Sequence, residues 1–216
     1  MREKILDAAE LLMTRFGFGK VTMADIAREG CLSRATVYLH FQDKTEIGVA
    51  CMDRLHFRVL NRLEEIAVQP GSAIIRLRRL LVGRVLCAFD AAQGATMKYE
   101  DIFAAIRPLY VVRRERYFEA EARLFLAALK DGIASAEIAV KNPPLTALVF
   151  VLASNALMPF NLSPRQLDDR SEVELRVSKL SEILLSGVIN RSAKPVQRPG
   201  TANKPRNRRR IHVESN

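Results

Sequence analysis

The stretch Val21-Thr-Met-Ala-Asp-Ile-Ala-Arg-Glu-Gly-Cys-Leu-Ser-Arg-Ala-Thr-Val-Tyr-Leu-His-Phe41 sets the reading of the whole chain. Thr22 is a helix N-cap residue, and Asp25 follows three positions later in a capping-box-like arrangement. A short helix from Met23 to Glu29 then buries Ile26 and Ala27, and Gly30 ends it. Ser33 is a second N-cap, its hydroxyl placed to accept a free first-turn amide of a helix from Arg34 to about Leu39. Two short helices about the turn Gly30-Cys31-Leu32 make a helix-turn-helix when a third helix holds them. The third lies just before: Ile5, Leu6, Ala9, Leu12, Met13 and Phe16 recur at three- and four-residue spacing and form one apolar stripe. Gly17 and Gly19 stop it.

The second short helix has two sides. Val37 and Phe41 supply an apolar side, which leaves Arg34, Thr36, Tyr38 and His40 on the open one, with small Ala35 permitting close approach. That mix suits a helix lying in a DNA major groove. Arg34 can pair bidentately with guanine, and Ala35 or Thr36 can meet a thymine methyl. Tyr38 and His40 can reach phosphates. Lys44 adds a charge beside the free amides that open the next helix, which also attract anions.

Outward from this motif the chain reads as helical throughout. Asp43 caps a long helix to about Ala67, and Pro70-Gly71-Ser72 breaks the pattern. A helix from Ala73 to Ala92 follows, closed by Gly94. Another runs from near Met97 to Lys130, interrupted at Pro108 and ended by Asp131-Gly132. Asn142-Pro143-Pro144 starts the next, with proline in the first turn where its missing N–H costs little. That helix reaches about Phe160, and Ser171 caps a last one to about Asn190. No period-two strand run and no repeat appears. The expected fold is all-α, with a helix-turn-helix headpiece over residues 1–50 (motif about 22–41) and a larger helical domain over 51–190.

The net charge of +10 is unevenly spread. Residues 191–216 hold eight Lys/Arg and one acid, so this tail carries +7 and leaves +3 to the other 190 residues. The tail is proline-dotted and almost without apolar residues, so it is expected to be disordered. Residues 1–50 balance at seven basic and seven acidic side chains. Cys31, Cys51 and Cys87 form no metal or redox spacing and read as reduced thiols of a cytoplasmic protein. No cofactor or metal site is indicated. The longest apolar run, Leu145 to Phe160, is short of the roughly 20 residues that span a bilayer, so no membrane segment is expected.

The stretch from Ile5 to Val49 resembles the DNA-binding headpiece of the TetR family of bacterial transcriptional regulators. The likeness rests on Ile-Leu-Asp-Ala-Ala-Glu-Leu-Leu, Gly-Phe, Val-Thr-Met-Ala-Asp-Ile-Ala-Arg-Glu, Leu-Ser-Arg-Ala-Thr-Val-Tyr-Leu-His-Phe and Lys-Thr-Glu, without a gap. It implies a ligand-responsive repressor that binds a palindromic operator as a homodimer. Thr22 or Met23 would touch the phosphate backbone. Ser33, Arg34, Ala35 and Thr36 would lead the recognition helix. Tyr38, Leu39 and His40 would lie along its DNA side, with Lys44 on a phosphate. The family usually has alanine then glycine in the turn, where this chain has Gly30 then Cys31. A turn that requires positive φ at the second position would strain Cys31, unless it shifts by one residue.

The family dimerises through its last two helices, here about Pro144–Phe160 and Ser171–Asn190. Leu148, Leu152, Ala156, Val173, Leu180 and Leu184 are the expected interface residues. A small-molecule effector pocket would lie between the middle helices, with Phe89, Met97, Tyr99, Phe103, Tyr110, Phe118, Phe125 and Phe150 as candidate linings. Arg107, Arg113, Arg114, Arg116 and Arg123, interleaved with Glu115, Glu119 and Glu121, read as a solvated helix face.

Three other readings compete. Catalysis finds little support: His40, His56 and His212 are scattered, and Gly17-Phe18-Gly19-Lys20 lacks the spacing of a phosphate loop. Oxidation of Cys31, in the turn before the recognition helix, would couple redox state to DNA release. The cluster Arg206, Arg208, Arg209 and Arg210 would give sequence-independent, salt-dependent nucleic-acid binding.

Overall fold

The computed structural model describes residues 1–93, 99–167 and 169–190. Met97, the side chain of Tyr99 and the tail 191–216 lie outside the described residues. Nine α-helices are described, named here α1 (Arg2–Phe16), α2 (Met23–Glu29), α3 (Arg34–His40), α4 (Lys44–Ala67), α5 (Ala73–Gln93), α6 (Tyr99–Ala134), α7 (Pro143–Ser154), α8 (Pro164–Leu167) and α9 (Arg170–Ser186). Among the described residues there is no β-strand, only an isolated bridge between Ile138 and Ile189. No helix among them is long and apolar enough to cross a membrane.

Helices α1 to α3 share one apolar cluster. Ile5, Leu6, Ala9 and Met13 of α1 meet Ile26 of α2, Val37 of α3, and Ile47 and Met52 of α4. The same cluster takes in Ile102, Ile106 and Tyr110 from the first half of α6. At Gly48 an added Cβ would stand 3.0 Å from both Ile106 and Phe18, which shows how closely α4, α6 and the headpiece approach. A second cluster fills the body, with Leu63, Leu77, Leu81, Phe125, Phe150 and Leu185 at its centre. Helices α4 and α6 each contribute to both clusters, so the headpiece and body are joined by two continuous helices.

The structure departs from the sequence expectation at four helix positions. Helix α6 runs unbroken through Pro108. Proline removes one helical hydrogen bond and costs about 3 kcal/mol, but Ile102, Ile106 and Tyr110 are buried on either side of it and hold the helix together. Gly132 lies inside α6, which continues to Ala134. A Cβ there would come within 2.3 Å of Ile138 and 2.8 Å of Ala73, so the glycine serves close packing. Helix α7 stops at Ser154 and gives way to 3-10 turns at Asn155–Leu157 and Pro159–Asn161. Helix α9 opens at Arg170 and is capped by Asp169, whose carboxylate accepts the Glu172 amide at 3.0 Å, two residues ahead of the expected Ser171.

Candidate nucleic-acid interface and buried polar network

Local sequence builds the helix-turn-helix. The Thr22 hydroxyl accepts the Asp25 amide at 3.2 Å, while the Asp25 carboxylate accepts from the Thr22 amide at 3.0 Å and hydroxyl at 2.6 Å. These two Thr22 bonds hold the Asp25 carboxyl below its ordinary range. This closed capping box fixes the start of α2. At its end the Cys31 amide donates to Arg28 at 3.1 Å and the Leu32 amide to Ala27 at 2.8 Å. That pair of bonds is a Schellman motif, in which the residue after the cap adopts a left-handed conformation and is normally glycine. Here it is Cys31, at φ 50°, while Gly30 keeps ordinary helical angles. The turn therefore has not shifted, and Cys31 carries the strain.

Helix α3 starts at Ser33, whose hydroxyl accepts the Thr36 amide at 3.0 Å and lies 2.8 Å from the Thr36 hydroxyl. Val37 is fully buried and Phe41 nearly so, which clamps one side of the helix to the headpiece. The other side presents Arg34, Ala35, Tyr38, Leu39 and His40, all exposed. Leu39 is 83% exposed, high for an apolar side chain on an anchored helix. Arg34 forms no ion pair among the described residues. Met23 is half-buried against the headpiece core, and Thr22 is exposed with its polar groups engaged by Asp25. Lys44 is half-buried. Its ammonium donates to the carbonyls of Phe18 at 2.7 Å and Gly19 at 3.4 Å, over the Phe18 ring, and burial lowers its pKa. Two of its three donors thus hold the turn after α1, and the third remains for an anion.

Four of the seven acids of residues 1–50 are held in ion pairs. On α1, Glu3, Asp7 and Glu10 all pair with Arg54 of α4, and Glu10 also with Arg58 at 3.3 Å. Asp25 pairs with Arg28 at 2.5 Å.

The body holds a polar network that the sequence reading missed. Arg84 of α5 is fully buried; its Nε donates to Glu121 Oε2 at 2.7 Å and its Nη1 to Ser154 Oγ at 3.1 Å. Burial by itself would raise the Glu121 carboxyl, but the Arg84 guanidinium beside it outweighs burial and holds the group below the ordinary carboxylate range. His56 Nε2 lies 3.0 Å from the Tyr110 hydroxyl, and its ring stacks on Tyr117 at 4.0 Å. Tyr117 in turn donates to Asp53, which also accepts from Arg113 at 2.6 Å. The sequence did carry a signal: Arg84 stands among Leu77, Leu80, Leu81, Val85 and Ala88, and Glu121 shares a helical face with Phe118 and Phe125. Glu121 is accordingly buried, not part of the solvated face expected for it.

The expected pocket aromatics take a different role. Phe89, Tyr110, Phe118, Phe125 and Phe150 are buried core, and Phe103 packs against Tyr110 and Phe160. Their faces are filled by neighbours, so none lines the cavity of about 280 Å3 that lies between α4 and α6. A larger open groove of about 630 Å3 adjoins α4, α5 and α9. Its Arg62, Arg78 and Arg170 are each already paired with a carboxylate.

The expected interface residues divide likewise. Val173 is fully buried with Val85, Phe89, Leu162 and Val177, because that side of α9 packs on α5, and it belongs to the chain's own core. Leu148 and Leu184 partly pack on the body core, and Leu180 is half-buried. Leu152 and Ala156 are exposed and extend an outward stripe with Leu145 and Val149. On α9 the exposed apolar residues are Leu175 and Ile183.

This architecture is a capped helix-turn-helix packed on a larger helical body. Residues 5–51 match the model of the bacterial regulatory proteins of the tetR family. Over 55 residues the chain is 38% identical to the HTH-type transcriptional regulator TtgR of Pseudomonas putida, 26% of either chain. The match thus spans about a quarter of that relative's length. A transcriptional regulator from Cytophaga hutchinsonii superposes with a TM-score of 0.69 at 19% identity, covering 86% of this chain and 97% of the other. SmeT, the repressor of the Stenotrophomonas maltophilia multidrug efflux pump SmeDEF, superposes with a TM-score of 0.61 at 19% identity, covering 95% and 96%. The likeness to that family is thus carried by residues 5–51, while the rest of the chain shares the fold of these solved neighbours.

Proposed function

We propose that this protein is a transcriptional regulator that binds a two-fold symmetric DNA operator as a homodimer and releases it when a small molecule occupies its body. The observation that carries the DNA-binding reading is the two-sided build of α3. Val37 and Phe41 anchor it, Ser33 caps it, and Arg34, Ala35, Tyr38, Leu39 and His40 stand free for a major groove. The outward stripe Leu145, Val149, Leu152 and Ala156, with Leu175 and Ile183, supports pairing with a second copy. Repression follows the family pattern, and the site of action is cytoplasmic DNA.

Ligand response has a physical route. Helix α4 carries Ile47 and Met52 in the headpiece core and His56 beside the body cavity. Helix α6 carries Ile106 in the headpiece core and Glu121 beside the same cavity. A ligand that prefers one relative placement of these helices shifts the separation of two recognition helices by its differential affinity. SmeT has also been solved in complex with triclosan, and that structure superposes with a TM-score of 0.62 at 21% identity, covering 94% of this chain and 97% of the other.

The test is selection of bound sequences from random DNA by the purified full-length protein. The expected result is a palindromic site whose half-sites lie about 34 Å apart, one helical turn, and which is not recovered with Arg34→Ala or Tyr38→Ala. Recovery of no consensus, or of the same consensus with both variants, contradicts the proposal.

A further inference from the structure

The cavity between α4 and α6 has an unusual inner wall. His56 and Glu121 line it, 3% and 1% exposed respectively. His56 Nδ1 and Glu121 Oε1 stand 3.6 Å apart, too far for a hydrogen bond, and neither has another partner in the protein. Buried polar atoms are rarely left so. Their companion atoms are taken, His56 Nε2 by Tyr110 and Glu121 Oε2 by Arg84. The side walls include Leu60 and the Tyr117 ring. At the mouth stands Arg116, an exposed guanidinium with no ion pair among the described residues.

These features select a ligand chemistry. The buried charge is already balanced by Arg84 and Glu121, so an entering ammonium would leave an uncompensated positive charge in the interior, which is costly. A hydroxyl adds no charge and serves both atoms. With the His56 proton on Nδ1 and Tyr110 donating to Nε2, one hydroxyl oxygen accepts from His56 and its hydrogen goes to Glu121. Burial keeps the Tyr110 phenol protonated for that role. At about 280 Å3 the cavity falls just below the range of drug-sized ligand sites, which begins near 300 Å3, and so suits a ligand of one ring with two substituents. Arg116 matches a carboxylate at the far end.

We propose that the α4–α6 cavity binds a small hydroxylated aromatic carboxylate, its hydroxyl seated between His56 and Glu121 and its carboxylate on Arg116. The inference rests on reading this cavity as the effector site. The test is calorimetric titration of the full-length protein, without DNA, using 4-hydroxybenzoate, benzoate and 4-hydroxybenzyl alcohol. Saturable binding of 4-hydroxybenzoate is expected, about tenfold or more tighter than either analogue, since each analogue lacks one polar contact. Arg116→Ala, at an exposed position that leaves folding intact, and Ala120→Phe, which fills the cavity, are each expected to weaken it by a similar factor. No binding at millimolar ligand, equal affinity for benzoate, or unchanged affinity in Ala120→Phe overturns the proposal. Binding that leaves operator affinity unchanged refutes the ligand-response reading and leaves this site standing; absence of binding does the reverse.

Discussion

Replacing Cys31 by glycine alters the helix-turn-helix at one strained point and little else. The side chain is exposed and its φ is 50°, so no packing is lost. A left-handed conformation costs a non-glycine residue about 1–2 kcal/mol. Glycine removes that cost but loses about 0.5–1 kcal/mol more conformational entropy on folding. Cys31→Gly is therefore expected to stabilise the protein by about 0.5–1 kcal/mol, which for a chain of this length raises Tm by about 1–4 °C. Urea denaturation gives the free energy and a thermal scan the midpoint. Cys31→Ala serves as control: it removes the thiol, keeps the Cβ, and is expected to match the wild type. If Cys31→Gly proves neutral or destabilising, or if Cys31→Ala stabilises equally, the strain argument is refuted.

Other perturbations test other parts of the account. Ser33→Ala removes the cap of α3 and is expected to cost about 1 kcal/mol, seen in urea denaturation and as faster exchange of the Thr36 amide; unchanged exchange would show the cap to be unimportant. Gly132→Ala drives a Cβ into Ile138 and Ala73 and is expected to cost about 1–3 kcal/mol, whereas a helix-stabilising effect would contradict the close approach. Arg84→Met leaves Glu121 buried and unpaired and is expected to cost about 3–5 kcal/mol, while Arg84→Met with Glu121→Leu restores much of it. The same pair governs acid stability. The Glu121 carboxyl is held below its ordinary value of 4.5, so its contribution is present above that value and is lost as pH falls through the lower, folded one. The double variant is expected to lose less stability than wild type between neutral pH and about pH 3; parallel losses would contradict this.

What the sequence disclosed follows from the range of the forces involved. Caps act within one turn, so Thr22 with Asp25, Ser33 and Asp43 were legible from residue type and spacing, as were the anchoring Val37 and Phe41. The strain at Cys31 was legible as a conflict between a turn that favours glycine and the residue present. Tertiary packing was harder to read. Pro108 and Gly132 carry the local signals of a break, yet burial of Ile106 and Tyr110 and the approach of Ile138 override both. Glu121 sits between arginines in sequence, and only the fold brings Arg84 and His56 to it. The aromatics expected to line a pocket share the same helical faces as core residues, and periodicity does not distinguish a filled face from an open one.

The central claim is that the open side of α3 reads DNA sequence. Fluorescence anisotropy on a selected operator and on a scrambled duplex, at one salt concentration, tests it most directly with wild type and Arg34→Ala. A base-reading arginine contributes about 1–3 kcal/mol of discrimination. The variant should therefore lose roughly 5- to 150-fold in affinity for the operator while its binding to scrambled DNA changes little. Equal losses on both duplexes would make Arg34 a phosphate contact, and no loss on either would remove α3 from the interface and contradict the account.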